Sequence, residues 1–162
     1  KYWYGRLAGK LFNVTWLTRG EADMSAIKEF ISRLKKGAVM IIAPEGTRSK
    51  SVSLLKAEPG AIYIASSSNV GIIPVALTGT EDADVVARLK SFRRLKITIT
   101  AGDEMYYPPN IKAAKGVERD ALLREAIDEL FCRIAALLPE RYRGYYKDFP
   151  RTKELLALKN KP

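Results

Sequence analysis

The chain has 162 residues, 47% of them hydrophobic and 28% charged, which is typical of one globular domain with its own core. It carries 28 Lys and Arg against 18 Asp and Glu, and the net charge of +10 favours an anionic partner. There is no histidine and only one cysteine, which excludes a histidine base, a histidine ligand and a cysteine zinc site from this chain. No run of about 18 apolar residues occurs, so no transmembrane helix is expected.

The first part of the chain predicts a strand, a helix and a second strand. Residues 11–17 alternate imperfectly and favour a strand. Residues 24–34 carry apolar side chains at helical spacing, and Gly37 is expected to end that helix. The continuous apolar run at 38–42 predicts a buried strand. Together these elements form a βαβ unit, whose crossover should be right-handed.

A polar turn follows that run directly and carries an acid, two hydroxyls and an arginine. Pro44 fixes its own φ, and Gly46 can adopt a positive φ, so the chain can reverse sharply here. In open α/β sheets ligands bind at the carboxyl ends of the strands, where this turn is expected. On turn chemistry alone, an ordinary polar loop after a core strand remains an equal alternative.

The middle of the chain predicts a short helix at 61–68, which begins after Pro59 and Gly60. Gly60 is expected to let the start of this helix pack closely. Residues 71–78 predict a buried strand, made irregular by Pro74 because proline removes one donor from the ladder.

The last part predicts a helix near 83–89, a half-exposed strand at 95–101 and a long amphipathic helix at about 117–138. Pro139 limits the long helix, and Cys132 lies in its apolar pattern as a small core residue. Strands alternating with helices favour an α/β fold, a single domain with a mainly parallel mixed sheet flanked by helices.

Several segments, in this order, resemble the conserved blocks of glycerolipid acyltransferases of the 1-acylglycerol-3-phosphate O-acyltransferase type. Pro-Glu-Gly-Thr-Arg-Ser at 44–49 resembles the third block, and Trp-Leu-Thr-Arg at 16–19 resembles the second. Pro-Gly-Ala at 59–61 resembles the helix start after the third block, and the apolar strand at 72–77 resembles the fourth. The segment 138–146 is similar to the end of several bacterial members. The resemblance implies a glycerol-3-phosphate acyltransferase-like fold over residues 1–148, with a C-terminal tail at 149–162.

The departures from the family pattern concern catalysis. The first block, His-x-x-x-x-Asp, supplies the family's general base and is absent here. The chain opens without Met, so we expect that block to lie upstream and expect this chain alone to be inactive. Glu58 stands where many members have lysine, and Lys56 is the alternative source of positive charge. Ala43 replaces a larger apolar residue.

The resemblance implies acyl transfer from acyl-CoA or acyl carrier protein to the free hydroxyl of 1-acylglycerol-3-phosphate, giving phosphatidate. Arginine suits the acceptor's phosphate because it offers permanently charged, bidentate donors. The predicted phosphate-binding residues are Arg48, Gly46, Thr47, Arg19 and Lys56. The residues predicted to shape the site are Glu45, Pro44 and Gly60. Glu45 is expected to hold the turn, or to orient Arg48 or the absent histidine. No bound cofactor or metal is expected.

Two features leave alternatives open. The basic segment at 90–96, with Phe92 inside it, is either a solvated charge cluster or a contact with anionic lipid. The tyrosines at 142–146 are either interfacial anchors or part of the domain's packing. A peripheral position on the cytoplasmic face of the membrane is expected. A nucleic-acid-binding domain is the less favoured class because no groove-fitting or stacking motif stands out, and a non-catalytic lipid-binding relative is the third.

Overall fold

A computed structural model gives the structure of the protein and describes residues 24–46 and 52–159. The chain divides into two compact units, Lys1–Met40 and Ile41–Pro162. The strand predicted at 11–17 lies outside the described residues.

In the first unit, helix α1 spans Met24–Lys35 and confirms the helix predicted from apolar spacing. Glu29 and Arg33 form an ion pair one helical turn apart on its surface. Gly37 follows with φ of +87°, and the Ala38 N–H donates to the Arg33 carbonyl at 3.1 Å. This glycine-dependent closure of the last turn confirms the predicted helix stop.

The buried strand predicted at 38–42 is wrong. Val39 is 93% exposed, Ile41 is 98% exposed, and residues 38–42 belong to no strand. An apolar run becomes a buried strand only if other elements pair with it and cover it, and no described strand does so. The predicted βαβ unit is therefore not formed by the described residues.

The second unit is mainly helical. Helices α2, α3 and α4 lie within one residue of the bounds predicted at each end, and α5 follows them. The helices are α2 Gly60–Ser68, α3 Asp82–Lys90, α4 Gly116–Leu137 and α5 Pro150–Lys159. Short 3-10 turns lie at Pro109–Lys112, Glu140–Tyr142 and Gly144–Tyr146.

The described sheet has two antiparallel strands, β1 (Val75–Thr78) and β2 (Thr98–Ala101). Val75 pairs with Ala101, and Thr78 pairs with Thr98. The predicted mainly parallel sheet is therefore wrong for this part of the chain. Alternation of apolar residues predicts which face of a strand is covered, but it does not specify the direction of the partner strand.

Pro74 interrupts the ladder as predicted. An isolated bridge joins Ile72 to Met105, and regular pairing resumes only at Val75. Proline has no N–H to donate, but the Pro74 carbonyl accepts from the Gly102 N–H at 2.9 Å. The strand therefore starts later than the predicted residue 71.

The core of the second unit is centred on α4. Its buried face includes Ile127, Phe131 and Cys132, which is 1% exposed and confirms the core position predicted for it. Ile62 of α2 packs into the same cluster. Tyr146 is fully buried there as well, with its ring centroid 5.1 Å from that of Phe131. Helix α5 docks on α4, and Lys159 Nζ donates to the Ala136 carbonyl at 3.5 Å.

Candidate functional site

The polar turn after residue 42 has the sharp reversal that its sequence predicts. The Gly46 N–H donates to the Ala43 carbonyl at 3.2 Å, which closes a four-residue turn. Pro44 occupies its second position and Gly46 its fourth, where these residues are favoured. Gly46 has φ of +66°, and no atom of the described residues lies within 4 Å of where a Cβ would be. The turn therefore leaves open space at Gly46, although the Gly46 N–H itself is engaged.

Glu45 holds this turn against the loop that follows. Its Oε2 atom accepts a hydrogen bond from the Leu55 N–H at 3.0 Å. Beside it, the Pro44 carbonyl accepts from the Glu58 N–H at 2.9 Å. These bonds fit the first of the roles predicted for Glu45, which is to hold the turn. The turn and residues 54–58 therefore form one hydrogen-bonded unit.

The loop is in turn joined to the 142–146 segment. The Leu54 N–H donates to the Tyr142 carbonyl at 2.9 Å, and the Tyr145 N–H donates to the Leu54 carbonyl at 2.9 Å. Gly144 has φ of +45°, and a Cβ placed on it would lie 2.2 Å from the Leu54 carbonyl oxygen. Only glycine fits this close backbone approach.

Tyr146 and Arg124 secure the next part of the loop. The Ala57 N–H donates to the Tyr146 hydroxyl at 3.1 Å, and that hydroxyl donates to Asp128 Oδ1 at 3.1 Å. Arg124 Nη1 donates to the Ala57 carbonyl at 2.7 Å. Burial raises the pKa of the Tyr146 phenol, so it remains a neutral donor at physiological pH. The resemblance of the 138–146 segment pointed to these tyrosines, but nothing in the local sequence predicted what they contact.

Glu58, which departs from the family pattern, has a cationic partner nearby. Arg124 Nη2 lies 3.8 Å from Glu58 Oε2, so the carboxylate that replaces the family's lysine faces a cation on α4. Both side chains are partly exposed, and such pairs contribute little to stability. Lys56 is exposed on the same loop.

The close packing expected at Gly60 is wrong. No atom lies within 4 Å of a Cβ placed on it, so the start of α2 has room for a larger residue. Three further predicted site residues, Arg19, Thr47 and Arg48, lie outside the described residues. The structure therefore places Pro44, Glu45 and Gly46 at one turn, with Lys56 on the loop bonded to it.

A groove of about 1020 Å³ lies beside α4. It is lined by aromatic and apolar side chains together with charged ones, including Met105, Tyr107, Phe149, Arg124, Glu125 and Arg151. Arg124 belongs both to this groove and to the support of Ala57. The groove therefore borders the loop that holds the polar turn.

Residues 24–46 and 52–159 contain no group of three metal-ligating side chains. Within the same ranges, no helix has the length and apolar character needed to cross a bilayer.

Comparison with known proteins bears on the same turn. Residues 2–78 match the family model described as Acyltransferase, and this match includes the polar turn, α2 and β1. The matched segment makes up just under half of the 162 residues, and in this segment the chain is similar to the acyltransferase family. The chain is also similar to curated plant proteins named 1-acyl-sn-glycerol-3-phosphate acyltransferase, in agreement with the resemblance found in its sequence.

Three relatives illustrate the similarity. The 1-acyl-sn-glycerol-3-phosphate acyltransferase of Cocos nucifera is 45% identical over 60 residues, which cover 36% of this chain and 20% of that protein. The chloroplastic 1-acyl-sn-glycerol-3-phosphate acyltransferase LPAT1 of Arabidopsis thaliana is 37% identical over 59 residues. These residues cover 36% of this chain and 17% of that protein. The 1-acyl-sn-glycerol-3-phosphate acyltransferase of Limnanthes douglasii is 32% identical over 113 residues. These residues cover 66% of this chain and 38% of that protein.

The chain therefore spans well under half the length of these curated relatives. No solved structure matches it.

Proposed function

We propose that the acyltransferase chain takes part in acyl transfer from an acyl thioester to the free hydroxyl of 1-acylglycerol-3-phosphate, the step that gives phosphatidate in phospholipid synthesis. Its part is to bind the acceptor's phosphate. The observation that carries the proposal is the Pro-Glu-Gly-Thr-Arg-Ser turn, built on Glu45 and open at Gly46, within the segment that matches the family.

The acceptor's phosphate is bound by Arg48, with the Thr47 hydroxyl and the backbone near Gly46 as further contacts. Glu45 supports this geometry because its bond to the Leu55 N–H anchors the turn. Lys56 adds positive charge from the adjoining loop, and Arg19 is a further predicted contact.

The chemistry needs a base that this chain does not contain. A histidine outside the 162 residues, oriented by an aspartate, takes the proton of the acceptor hydroxyl. The oxygen attacks the thioester carbonyl, an oxyanion forms, and the thiolate leaves as the new ester is completed. The leaving thiolate takes the proton that the histidine removed from the hydroxyl, which returns the histidine to its neutral form. Acyl-CoA or acyl carrier protein is the donor.

The protein works at a membrane surface because its acceptor is a lipid. Its place is peripheral, at an anionic bilayer on the cytoplasmic face. The net charge of +10 supports attraction to such a surface and to an acidic acyl carrier.

Replacing Arg48 tests the acceptor site. In a longer protein in which a His-x-x-x-x-Asp block precedes Lys1, we expect Arg48→Ala to raise the KM for 1-acylglycerol-3-phosphate by about 10- to 100-fold, since charge-assisted hydrogen bonds contribute about 1.5–3 kcal/mol. Arg48→Lys should have an intermediate effect because it keeps the charge but loses the bidentate geometry. Steady-state kinetics with the acceptor varied measures both.

The control is Lys153→Ala, which removes an exposed cation of α5 that pairs with Asp148. It should leave the acceptor KM unchanged. An unchanged KM in Arg48→Ala would show that Arg48 does not bind the phosphate. Salt-sensitive binding of DNA or RNA, with no acyl transfer by the longer protein, would favour the nucleic-acid-binding class instead.

A further inference from the structure

The connection between α3 and β2 concentrates positive charge, and residues 88–96 are called here the basic turn. Its cations are all exposed: Arg88, Lys90, Arg93, Arg94 and Lys96. No Asp or Glu occurs between Asp84 and Asp103. Several surface cations elsewhere in the described ranges pair with carboxylates, for example Arg151 with Glu129. The basic turn therefore presents a dense positive charge without acidic residues nearby in the sequence.

An aromatic side chain lies at the tip of this turn. Phe92 is 100% exposed, so its ring has no packing role in the described structure. Its φ of +51° lies in the left-handed region, which costs free energy for any residue with a Cβ. Strained, exposed positions of this kind are found where function rather than stability selects the residue.

The backbone of the basic turn is fixed by hydrogen bonds. The Ser91 N–H donates to the Ala87 carbonyl at 3.1 Å, and the Arg93 N–H donates to the Arg88 carbonyl at 2.9 Å. Arg88 Nη1 also donates to the Arg94 carbonyl at 3.2 Å. The ring of Phe92 is thus displayed on a preformed turn, which reduces the ordering cost of any contact it makes.

The sheet extends the apolar surface next to the basic turn. Leu77 of β1 pairs with Ile99 of β2, and residues that pair directly share one face of a sheet. Both are exposed, as are Ile97 and Leu95 between that pair and the turn. The exposed residues thus combine an aromatic tip, aliphatic side chains and clustered cations.

We infer that the basic turn is a membrane-docking surface, in which Phe92 enters the boundary between headgroups and acyl chains of an anionic bilayer while the surrounding cations contact acidic headgroups. Aliphatic side chains beside the turn favour a bilayer over single-stranded nucleic acid, which is bound by stacking on aromatic rings. Docking there brings the protein to the surface that holds its lipid acceptor. This consequence rests on the proposed function, whereas the membrane binding itself does not.

Vesicle binding by the 162-residue chain tests the inference without any turnover, so its failure is distinguishable from failure of the proposed function. The chain should cosediment with phosphatidylcholine vesicles in which about a third of the lipid is phosphatidylglycerol, and binding to pure phosphatidylcholine should be much weaker. Arg93→Ala together with Arg94→Ala should lower the partition coefficient about thirtyfold. Phe92→Ala should lower it about tenfold through lost apolar burial.

Matched controls separate docking from general charge and folding. Lys35→Ala together with Lys36→Ala removes two adjacent exposed cations at the end of α1, and Tyr106→Ala removes another exposed aromatic ring. Each control should change the partition coefficient less than about threefold, because the inference assigns binding to the basic turn and only cations at the contact contribute about 1 kcal/mol each. Phe92→Ala should not lower Tm, since its ring is fully exposed.

Depth of insertion gives a second measurement. Cys132 is 1% exposed and burial raises its pKa, so a polarity-sensitive label reacts selectively with the thiol of a Phe92→Cys variant. The label's emission should shift to the blue on anionic vesicles. No shift, or vesicle binding equal in the Phe92→Ala and wild-type chains, would overturn the inference. So would variants that change only RNA binding or only self-association measured by sedimentation.

Discussion

At the residue scale, Ala57 shows how distant side chains position the polar turn. Its N–H donates to Tyr146, 89 residues away, and its carbonyl accepts from Arg124, 67 residues away. Ala57 and Tyr146 are both fully buried, so water cannot replace either bond. The loop behind Glu45 therefore depends on two side chains from the last third of the chain.

Removing the Tyr146 hydroxyl tests this dependence. Tyr146→Phe leaves the buried Ala57 N–H without an acceptor and Asp128 without a donor. We expect it to lower the free energy of unfolding by about 1–3 kcal/mol, the usual cost of an unsatisfied buried donor. Urea unfolding followed by circular dichroism measures the change.

Tyr145→Phe is the matched control, because the neighbouring ring is half-exposed. It should change the free energy of unfolding by less than about 0.5 kcal/mol, as surface substitutions usually do. Equal stability of Tyr146→Phe and the wild-type chain would show that the hydroxyl does not support the loop.

At the element scale, local patterns predicted the helices well and the strands poorly. The spacing of apolar residues in α1 and α4, the Gly37 stop and the break at Pro74 all depend on near neighbours in the sequence. The run at 38–42 depends on which strands lie beside it, and Val39 is instead exposed. The parallel direction assumed for β1 and β2 had the same weakness, since strand partners are set by non-local contacts.

The same distinction applies to the candidate site. The turn at Pro44 and Gly46 and the tethering role of Glu45 were predictable, because they follow from residue types within a short stretch and from a recognisable block order. The bond from Ala57 to Tyr146 was not, because it joins segments 89 residues apart. Close packing at Gly60 was expected from the residue alone and is absent.

The docking of α5 on α4 predicts a dependence of stability on pH. Glu129 accepts from Arg133 Nε at 2.7 Å and from Arg151 Nε at 2.8 Å. Burial disfavours the charged carboxylate, but the hydrogen bonds from Arg151 and Arg133 outweigh it and lower the pKa of Glu129 from 4.5. A carboxyl whose pKa is lower in the folded than in the unfolded chain stabilises the fold at any pH above its unfolded-state pKa. This stabilisation is lost as the pH falls through the folded-state pKa.

We therefore expect Glu129→Gln to destabilise the chain at pH 7 and to flatten the decline of its unfolding free energy below about pH 4.5. Thermal unfolding from pH 7 down to pH 3 measures this, with the wild-type chain in parallel. Glu140→Gln is the control, since Glu140 pairs with Lys147 at the exposed surface and should have little effect. If the unfolding free energy of Glu129→Gln fell at low pH as steeply as that of the wild-type chain, the loss of stability in acid would come from other carboxylates.

At the scale of the whole molecule, charge and chemistry are distributed unevenly. The net charge of +10 includes the basic turn, which has no acidic neighbours in the sequence, whereas α4 and α5 carry paired charges. The polar turn and the loop behind it form one hydrogen-bonded unit, to which the proposed function assigns binding of the acceptor's phosphate. No residue of the chain is a histidine, so the proposed function takes its general base from outside these 162 residues.

The central proposal is that this chain binds the phosphate of the acceptor, while the catalytic base comes from outside its 162 residues. Release of free thiol from an acyl thioester in the presence of 1-acylglycerol-3-phosphate tests it most directly. We predict that the 162-residue chain releases thiol at least about a hundredfold more slowly than a longer protein carrying the His-x-x-x-x-Asp block, because a positioned general base contributes at least that factor. Comparable rates for the two proteins would contradict the claim.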